Sequence, residues 1–298
     1  MPSKHLQRKT TPHSHANTIK KFTRPERLTT KLGNTIVDSW AVTILGCGTS
    51  VGVPALGCHC STCQSKNQKN NRLRASIAVQ YGDTVFLIDT TPDLRQQSLR
   101  ENLYWIDAVL YTHPHADHLH GIDDLRTFNF LKQGDIDCYG NKWTTDTILN
   151  RYEYIFKVSQ EGGGKPKLNV HTVTKSFFYR GIKIQPLEVI HGSMPVLGYR
   201  IGSFAYITDC SLIPDKTIRK MQNLDVLILD CLRYTPHSTH LTVEQALAYA
   251  AKINAKTTYL THMGHELEYV RFKKTLPKHV YPAYDGLKIT LTNNRRRS

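Results

Sequence analysis

A chain of 298 residues with 40% hydrophobic content can bury one large core without disulfide support. Its seven cysteines, an odd number, argue against a secreted disulfide framework. No apolar run approaches the ~18 residues of a membrane span, and the N-terminus lacks the apolar stretch of a signal peptide. The expected setting is therefore cytoplasmic, with no membrane partner.

The net charge of +15 is unevenly spread. Residues 1–38 are rich in Lys, Arg, Pro, Thr and His and poor in large apolar groups, so they read as a basic, disordered N-terminal tail. Acids are nearly absent before Glu26, which leaves an organelle address open. Residues 39–292 read as one domain, and residues 293–298, with Arg295-Arg296-Arg297, as a second basic tail. Such tails can attract nucleic acid, although a solvated extension is the preferred reading.

The domain opens with a strand at Val42–Leu45. Gly57-Cys58-His59-Cys60-Ser61-Thr62-Cys63 follows, a C-x-C-x-x-C cluster. Three thiols so close together in a cytosolic-looking chain point to metal rather than disulfide. Tetrahedral zinc asks for four ligands and Cys3His is a standard set, so His265 is the candidate fourth. Cys47, Cys138, Cys210 and Cys231 are scattered and read as ordinary buried thiols.

Strands at Ser76–Gln80 and Thr84–Ile88 flank a Gly82-Asp83 hairpin turn, and a helix is expected at Pro92–Glu101. The strand Ala108–Tyr111 then runs into His113-Pro114-His115-Ala116-Asp117-His118. Three imidazoles and a carboxylate at the end of a strand can surround one point, and these are the usual ligands of zinc, iron and manganese. Two ligands two positions apart can share one ion, while the following Asp-His turns toward a second.

Helices are expected at Asp124–Leu131 and Thr144–Phe156, with a strand at Asp137–Tyr139 between them. The Gly- and Lys-rich segment Glu161–Lys167 reads as a mobile surface loop. Strands follow at Leu168–Val173, Ile182–Ile190, Leu197–Ile201, Phe204–Thr208 and Val226–Leu229, with a helix at Pro214–Met221. The clearest helix is Thr242–Ile253, where Thr242 can cap and Gln245 stands three residues later. Its Val243, Ala246, Leu247, Ala250 and Ala251 share one face. Strands at Thr257–Leu260 and Lys288–Leu291 close a layered α/β arrangement.

His113, His115, Asp117 and His118 resemble the signature of the metallo-β-lactamase superfamily, a group of mostly two-metal hydrolases. The resemblance implies an αββα sandwich and three further ligands, a His, an Asp and a His, each after a core strand. His191, Asp209 and His262 stand in that order at strand ends. By this resemblance His113, His115 and His191 hold one metal, Asp117, His118 and His262 a second, and Asp209 bridges them. The chain also resembles the PhnP-type phosphodiesterases. The segments concerned are Leu45–Ser50, Gly52–Pro54 with the cysteine cluster, Arg72–Ser76, Ile88–Asp93, Gly121–Arg126, Thr239–Thr242 and Ala283–Leu287. Cys47 and Thr91 depart from that pattern, where a small residue and a Gly are expected.

The expected cofactors are two divalent ions, Mn or Zn, in the active site and one structural Zn. Two close ions share and acidify a water and offset phosphoryl charge, so the expected activity is hydrolysis of small or cyclic phosphodiesters. Asp117 and His240 are the candidate catalytic residues, His240 as leaving-group acid or phosphate donor because a His titrates near neutral pH. His237 is its rival. Arg72 and Arg74 suit phosphate chemically, but solvent-facing arginines are commoner. An RNase Z-like nuclease and a thioester hydrolase are the alternatives, a metal-stabilised binding protein of the PqqB kind a further one, and a homodimer is open.

Overall fold

The computed structural model describes residues 23–32, 35–158 and 164–291. The expectations for the first 22 residues, for the final arginines and for the start of the Gly- and Lys-rich loop lie outside the described residues.

A hairpin of β1 (Thr29–Leu32) and β2 (Thr35–Asp38) opens the fold. Next come β3 (Trp40–Gly46), β4 (Ser76–Tyr81), β5 (Thr84–Ile88), α1 (Leu94–Glu101), β6 (Ala108–Leu110), α2 (Ala116–Leu119) and α3 (Leu125–Lys132). Then follow β7 (Ile136–Gly140), α4 (Lys142–Arg151), α5 (Glu153–Phe156) and β8 (Leu168–Thr172). The second half runs through β9 (Phe177–Tyr179), β10 (Ile182–His191), β11 (Met194–Ile201), β12 (Phe204–Ile207), α6 (Asp215–Lys220) and β13 (Val226–Asp230). It ends with α7 (Val243–Ile253), β14 (Thr257–Thr261), α8 (Tyr269–Thr275), β15 (Val280–Pro282) and β16 (Lys288–Leu291).

Two seven-stranded sheets result, ordered β16-β3-β4-β5-β6-β7-β8 and β15-β14-β13-β12-β11-β10-β9. The last strand returns to the first sheet beside β3, antiparallel, with Ile289 opposite Val42. In each sheet an antiparallel part gives way to parallel strands: β5 to β8 in one, β12 to β15 in the other. Side chains alternate across each strand. Val42, Ile44, Phe86, Ile88 and Leu110 therefore join Val189, Tyr199, Phe204, Tyr206 and Ile228 in the main core. Leu45, Leu87 and Val109 face the other way, into a second core with Leu94, Ile122, Leu125 and Phe128 around α1 and α3. This is the expected α/β sandwich. Each such side chain contributes about 1.5–3 kcal/mol when fully buried. Among the described residues no helix is long and apolar enough to cross a membrane.

The expected cap of α7 is present: Gln245 N–H reaches Thr242 Oγ1 at 3.2 Å, and Thr242 N–H reaches Gln245 Oε1 at 2.9 Å. Two expectations need correction. The single helix over 144–156 is two, because Tyr152 leaves helical geometry at φ −114°, ψ 35°. Its true start is earlier, where the Asn141 side chain accepts Thr144 N–H at 2.9 Å. The basic tail was expected to stay disordered through residue 38, yet the chain is packed on the body from Thr23. Charge and backbone pairing hold it in place of apolar burial. Arg24 meets buried Asp107 at 2.7 Å and lies over Trp105, Arg27 grips Asp38 at 2.6 and 2.8 Å, and Leu28 N–H bonds Gly82 O at 3.0 Å.

Candidate metal centre

The polar residues of interest sit where strands end. Strand β5 delivers Asp89, β6 leads to Thr112 and His113, β10 ends in His191, β12 is followed closely by Asp209, β13 ends in Asp230, and β14 delivers His262. A ligand at the carboxyl end of a strand is aimed by a rigid element. Asp89, Asp209 and His262 have φ of 65°, 49° and 58°, in the left-handed region that ordinary residues avoid. Such strain persists only where surrounding bonds fix it. Here Asp209 N–H is held by Asp230 Oδ1 at 3.2 Å and Asp89 N–H by Leu110 O at 3.1 Å.

All seven expected active-site ligands converge, in two groups. His113, His115 and His191 form one, and Asp117, His118, Asp209 and His262 the other. Within the first, His113 Nε2 and His115 Nδ1 are 3.0 Å apart. Within the second, His118 Nε2 lies 3.2 Å from Asp117 and 3.1 Å from Asp209 Oδ1, and His262 Nε2 lies 3.7 and 3.4 Å from the same carboxylates. Asp209 divides its oxygens: Oδ1 faces His118 and His262, while Oδ2 is 3.8 Å from His113 Nε2.

The donor set fits a cation. His118 Nε2 and both ring nitrogens of His262 are buried without a hydrogen-bond partner, a costly state that an ion accepting the Nε2 lone pairs would relieve in part. Metal–nitrogen and metal–oxygen bonds near 2.0–2.2 Å in a tetrahedron separate ligand atoms by roughly 3.4 Å, which matches the distances above. Burial opposes charge on His118, yet the carboxylates of Asp209, Asp117 and Asp89 outweigh it and hold the protonated form well above its usual range. Burial likewise opposes ionisation of Asp209, and His118 and His262 outweigh it. Burial keeps His113, His115 and His191 neutral, the form that ligates metals.

The imidazoles are also oriented. His118 Nδ1 bonds Asp89 Oδ2 at 2.8 Å, His113 Nδ1 bonds Thr112 Oγ1 at 2.9 Å, and His191 Nδ1–H donates to Thr239 O at 2.8 Å. Each bond leaves Nε2 for the centre, the usual arrangement behind a metal-binding His. Asp89 is further fixed by Thr112 N–H and Oγ1–H, both at 2.8 Å. Asp89 and Asp230 are site residues that the sequence reading did not single out. Their available signal was position alone, since each ends an apolar run as the expected ligands do.

His240 is buried, with Nδ1 3.2 Å from Asp230 Oδ1 and Nε2 3.7 Å from Asp209 Oδ2. Burial opposes its charge, but Asp230 and then Asp209 outweigh it and raise it to about 9. Its rival His237 is exposed at the rim and engages Thr239 instead. Arg72 and Arg74 are structural. Arg72 is fully buried and donates to carbonyls of Lys69, Gly264 and Leu267, and Arg74 binds Asp93 and Ser50 O. Neither is the solvent-facing arginine expected of a loop.

The thiol cluster forms as well. Cys58, Cys60 and Cys63 place Sγ at 3.1, 3.4 and 3.6 Å from His265 Nδ1. Zinc–sulfur and zinc–nitrogen bonds of ~2.3 and ~2.0 Å in a tetrahedron give an S···N edge of roughly 3.5 Å. The Cys63 backbone N–H lowers the Cys60 thiol to about 6, while burial and the neighbouring thiols raise Cys63 to about 11. Cys47, Cys138, Cys210 and Cys231 are buried, as expected.

The profile of the beta-lactamase superfamily domain matches residues 84–263. A solved diphosphatase of the PhnP family is 41% identical, covering 84% of this chain and 97% of its own, with a TM-score of 0.79. An octanoyltransferase of Porphyromonas gingivalis is 36% identical over 250 residues, 82% of this chain and 50% of the relative. The chain spans about half the length of the curated relatives it matches. The short form of human tRNase Z shares the fold at 19% identity, covering 84% of this chain and 98% of its own, with a TM-score of 0.62.

Proposed function

The chain belongs to the metallo-β-lactamase superfamily and is a metal-dependent hydrolase resembling the PhnP family, and from that premise we propose that it cleaves small phosphodiesters at a two-metal centre. His113, His115 and His191 would hold one divalent ion, Mn or Zn, and Asp117, His118 and His262 the other, with Asp209 between. Cys58, Cys60, Cys63 and His265 would hold a structural Zn. Bound there, the pair supplies an activated water and offsets charge on the phosphoryl oxygens.

The chain's own residues do the rest. Asp89 fixes the ring of His118, and Asp230 fixes the ring of His240 with Nε2 toward the ligand cluster. His240 donates its Nε2 proton to the departing oxygen, and Asp117 faces Nε2 of His118 and His262. The observation that supports this reading most is the division of Asp209 between the two groups, since paired ions suit phosphoryl transfer. A second reading, hydrolysis of an acyl thioester, draws on the octanoyltransferase relative, of which the match covers 50%.

Metal-loaded protein assayed side by side on bis(p-nitrophenyl) phosphate, a 2′,3′-cyclic nucleotide, a tRNA precursor and an acyl thioester separates these readings. Turnover of the small phosphodiesters far above the others is expected. A kcat/KM that favours the thioester or the tRNA precursor overturns the proposal.

A further inference from the structure

One aromatic residue beside the ligand cluster has no part in the chemistry above. Trp143 stands in the first turn of α4, and its ring centroid is 5.7 Å from that of His115, with the planes at 90°. His115 is the half-open member of its group, while His113 and His191 are buried. Trp143 therefore flanks the side by which a ligand reaches the centre. Trp143 packs in part against the main core and is otherwise open, and its indole N–H donates no hydrogen bond among the described residues. The open part of the ring leaves an apolar surface and a free donor beside His115.

The backbone that carries it is fixed. Asn141 accepts Thr144 N–H at 2.9 Å and donates Nδ2–H to Pro195 O at 3.1 Å, tying α4 to the start of β11. Met194 and Pro195, the first residues of β11, are exposed. The open part of Trp143, with exposed Met194 and Pro195 on the strand that its helix is tied to, thus offers apolar surface near the ligand cluster.

We propose that Trp143 is a stacking platform that selects phosphodiesters bearing a nucleobase. The proposal rests on the phosphodiesterase reading and names its substrate class. With the phosphoryl group at the His/Asp centre, a nucleoside substituent has one sugar between phosphorus and base, a reach that brings a flat ring over this surface. Every base has a π-face, so the platform accepts purines and pyrimidines alike. The preorganised helix start keeps the ordering cost of binding low.

The test measures binding first, so that it does not depend on turnover. Thymidine 5′-monophosphate, adenosine 5′-monophosphate and ribose 5-phosphate are titrated into metal-loaded full-length protein, wild type and Trp143→Ala. Loss of stacking weakens both nucleotides on the order of 10–100-fold and leaves ribose 5-phosphate nearly unchanged. Trp143→Leu, which keeps apolar packing without a π-face, shows the same selective loss if the alanine variant folds poorly. Trp143→Phe retains most of the affinity. Kinetics on thymidine 5′-(p-nitrophenyl phosphate) and methyl p-nitrophenyl phosphate then show a rise in KM larger for the thymidine ester, with kcat nearly kept. Equal nucleotide affinity in wild type and Trp143→Leu overturns the proposal. So does a uniform fall in kcat on both esters, which means that Trp143 only orients His115. Selective nucleotide binding without phosphodiester turnover in the wild type sinks the phosphodiesterase reading and leaves the platform standing.

Discussion

Replacing Asp89 by Asn isolates what one carboxylate does behind a candidate ligand. Its Oδ2 takes His118 Nδ1–H and Thr112 Oγ1–H, and its Oδ1 takes Thr112 N–H, each at 2.8 Å. An asparagine has one acceptor and one donor end, so both placements fail. With the amide NH2 toward His118, the imidazole must accept at Nδ1 and carry its proton on Nε2, the nitrogen that faces Asp117 and Asp209. That tautomer cannot ligate. With the amide reversed, NH2 confronts Thr112 N–H, and the unsatisfied buried donors cost about 1–3 kcal/mol. Loss of such an outer partner typically lowers metal affinity 10–100-fold, or about 1.4–2.8 kcal/mol. Calorimetric titration of chelated Asp89→Asn protein with Zn or Mn is the assay. Weakening should fall on the event that involves His118, with the His113/His115/His191 event less affected. Unchanged affinity in both events, with an unchanged melt, refutes the argument.

Cys60→Ser should lower the melting temperature by several degrees and remove the chelator-resistant Zn, because a structural site contributes free energy only to the folded state. Turnover per folded molecule should fall too, but far less than in Asp209→Ala, because the loop that carries His265 also carries His262; thermal melts read with element analysis and kinetics check this. Asp209→Ala should fold and melt near the wild type but lose at least ~10³-fold in kcat, since it addresses both ligand groups. Deletion of residues 1–22 should leave stability unchanged. Deletion to residue 38 should cost about 1.5–3 kcal/mol through the Arg24 bond to buried Asp107, measured by urea unfolding. Burial raises Asp285 from its usual range to about 6. Its folded state therefore holds a proton that the unfolded state releases, so its contribution is present below about pH 4 and is lost as pH rises through about 6. The shift of about 2 units corresponds to at most about 3 kcal/mol. Asp285→Asn should flatten the melt-against-pH curve in that window.

What the sequence disclosed followed from spacing. The hexapeptide at 113–118 is local, so a strand and a tight turn suffice to foresee its convergence, and the three later ligands were legible through a family order. Asp89 and Asp230 were not, because each is a single acid after an apolar run, 29 residues from His118 in one case and 10 from His240 in the other. Only tertiary contact distinguishes them from other strand-end acids. Arg72 illustrates the same limit: its carbonyl partners at Gly264 and Leu267 lie 192 and 195 residues away. The packing of residues 23–32 and 35–38 escaped notice because ion pairs and edge hydrogen bonds hold them, and neither leaves a hydrophobic period to read.

His262 and His265 share one short loop, and buried Arg72 anchors that loop at Gly264 and Leu267. A zinc held by the thiol cluster would therefore act as a hinge pin for a ligand of the proposed catalytic pair. Under zinc scarcity, loss of that metal would swing His262 out of place even with manganese abundant, so the enzyme would fail by misalignment before it failed by want of catalytic metal. Chelation should then inactivate in two phases. A fast phase would be reversed by any suitable divalent ion, and a slow phase only by zinc.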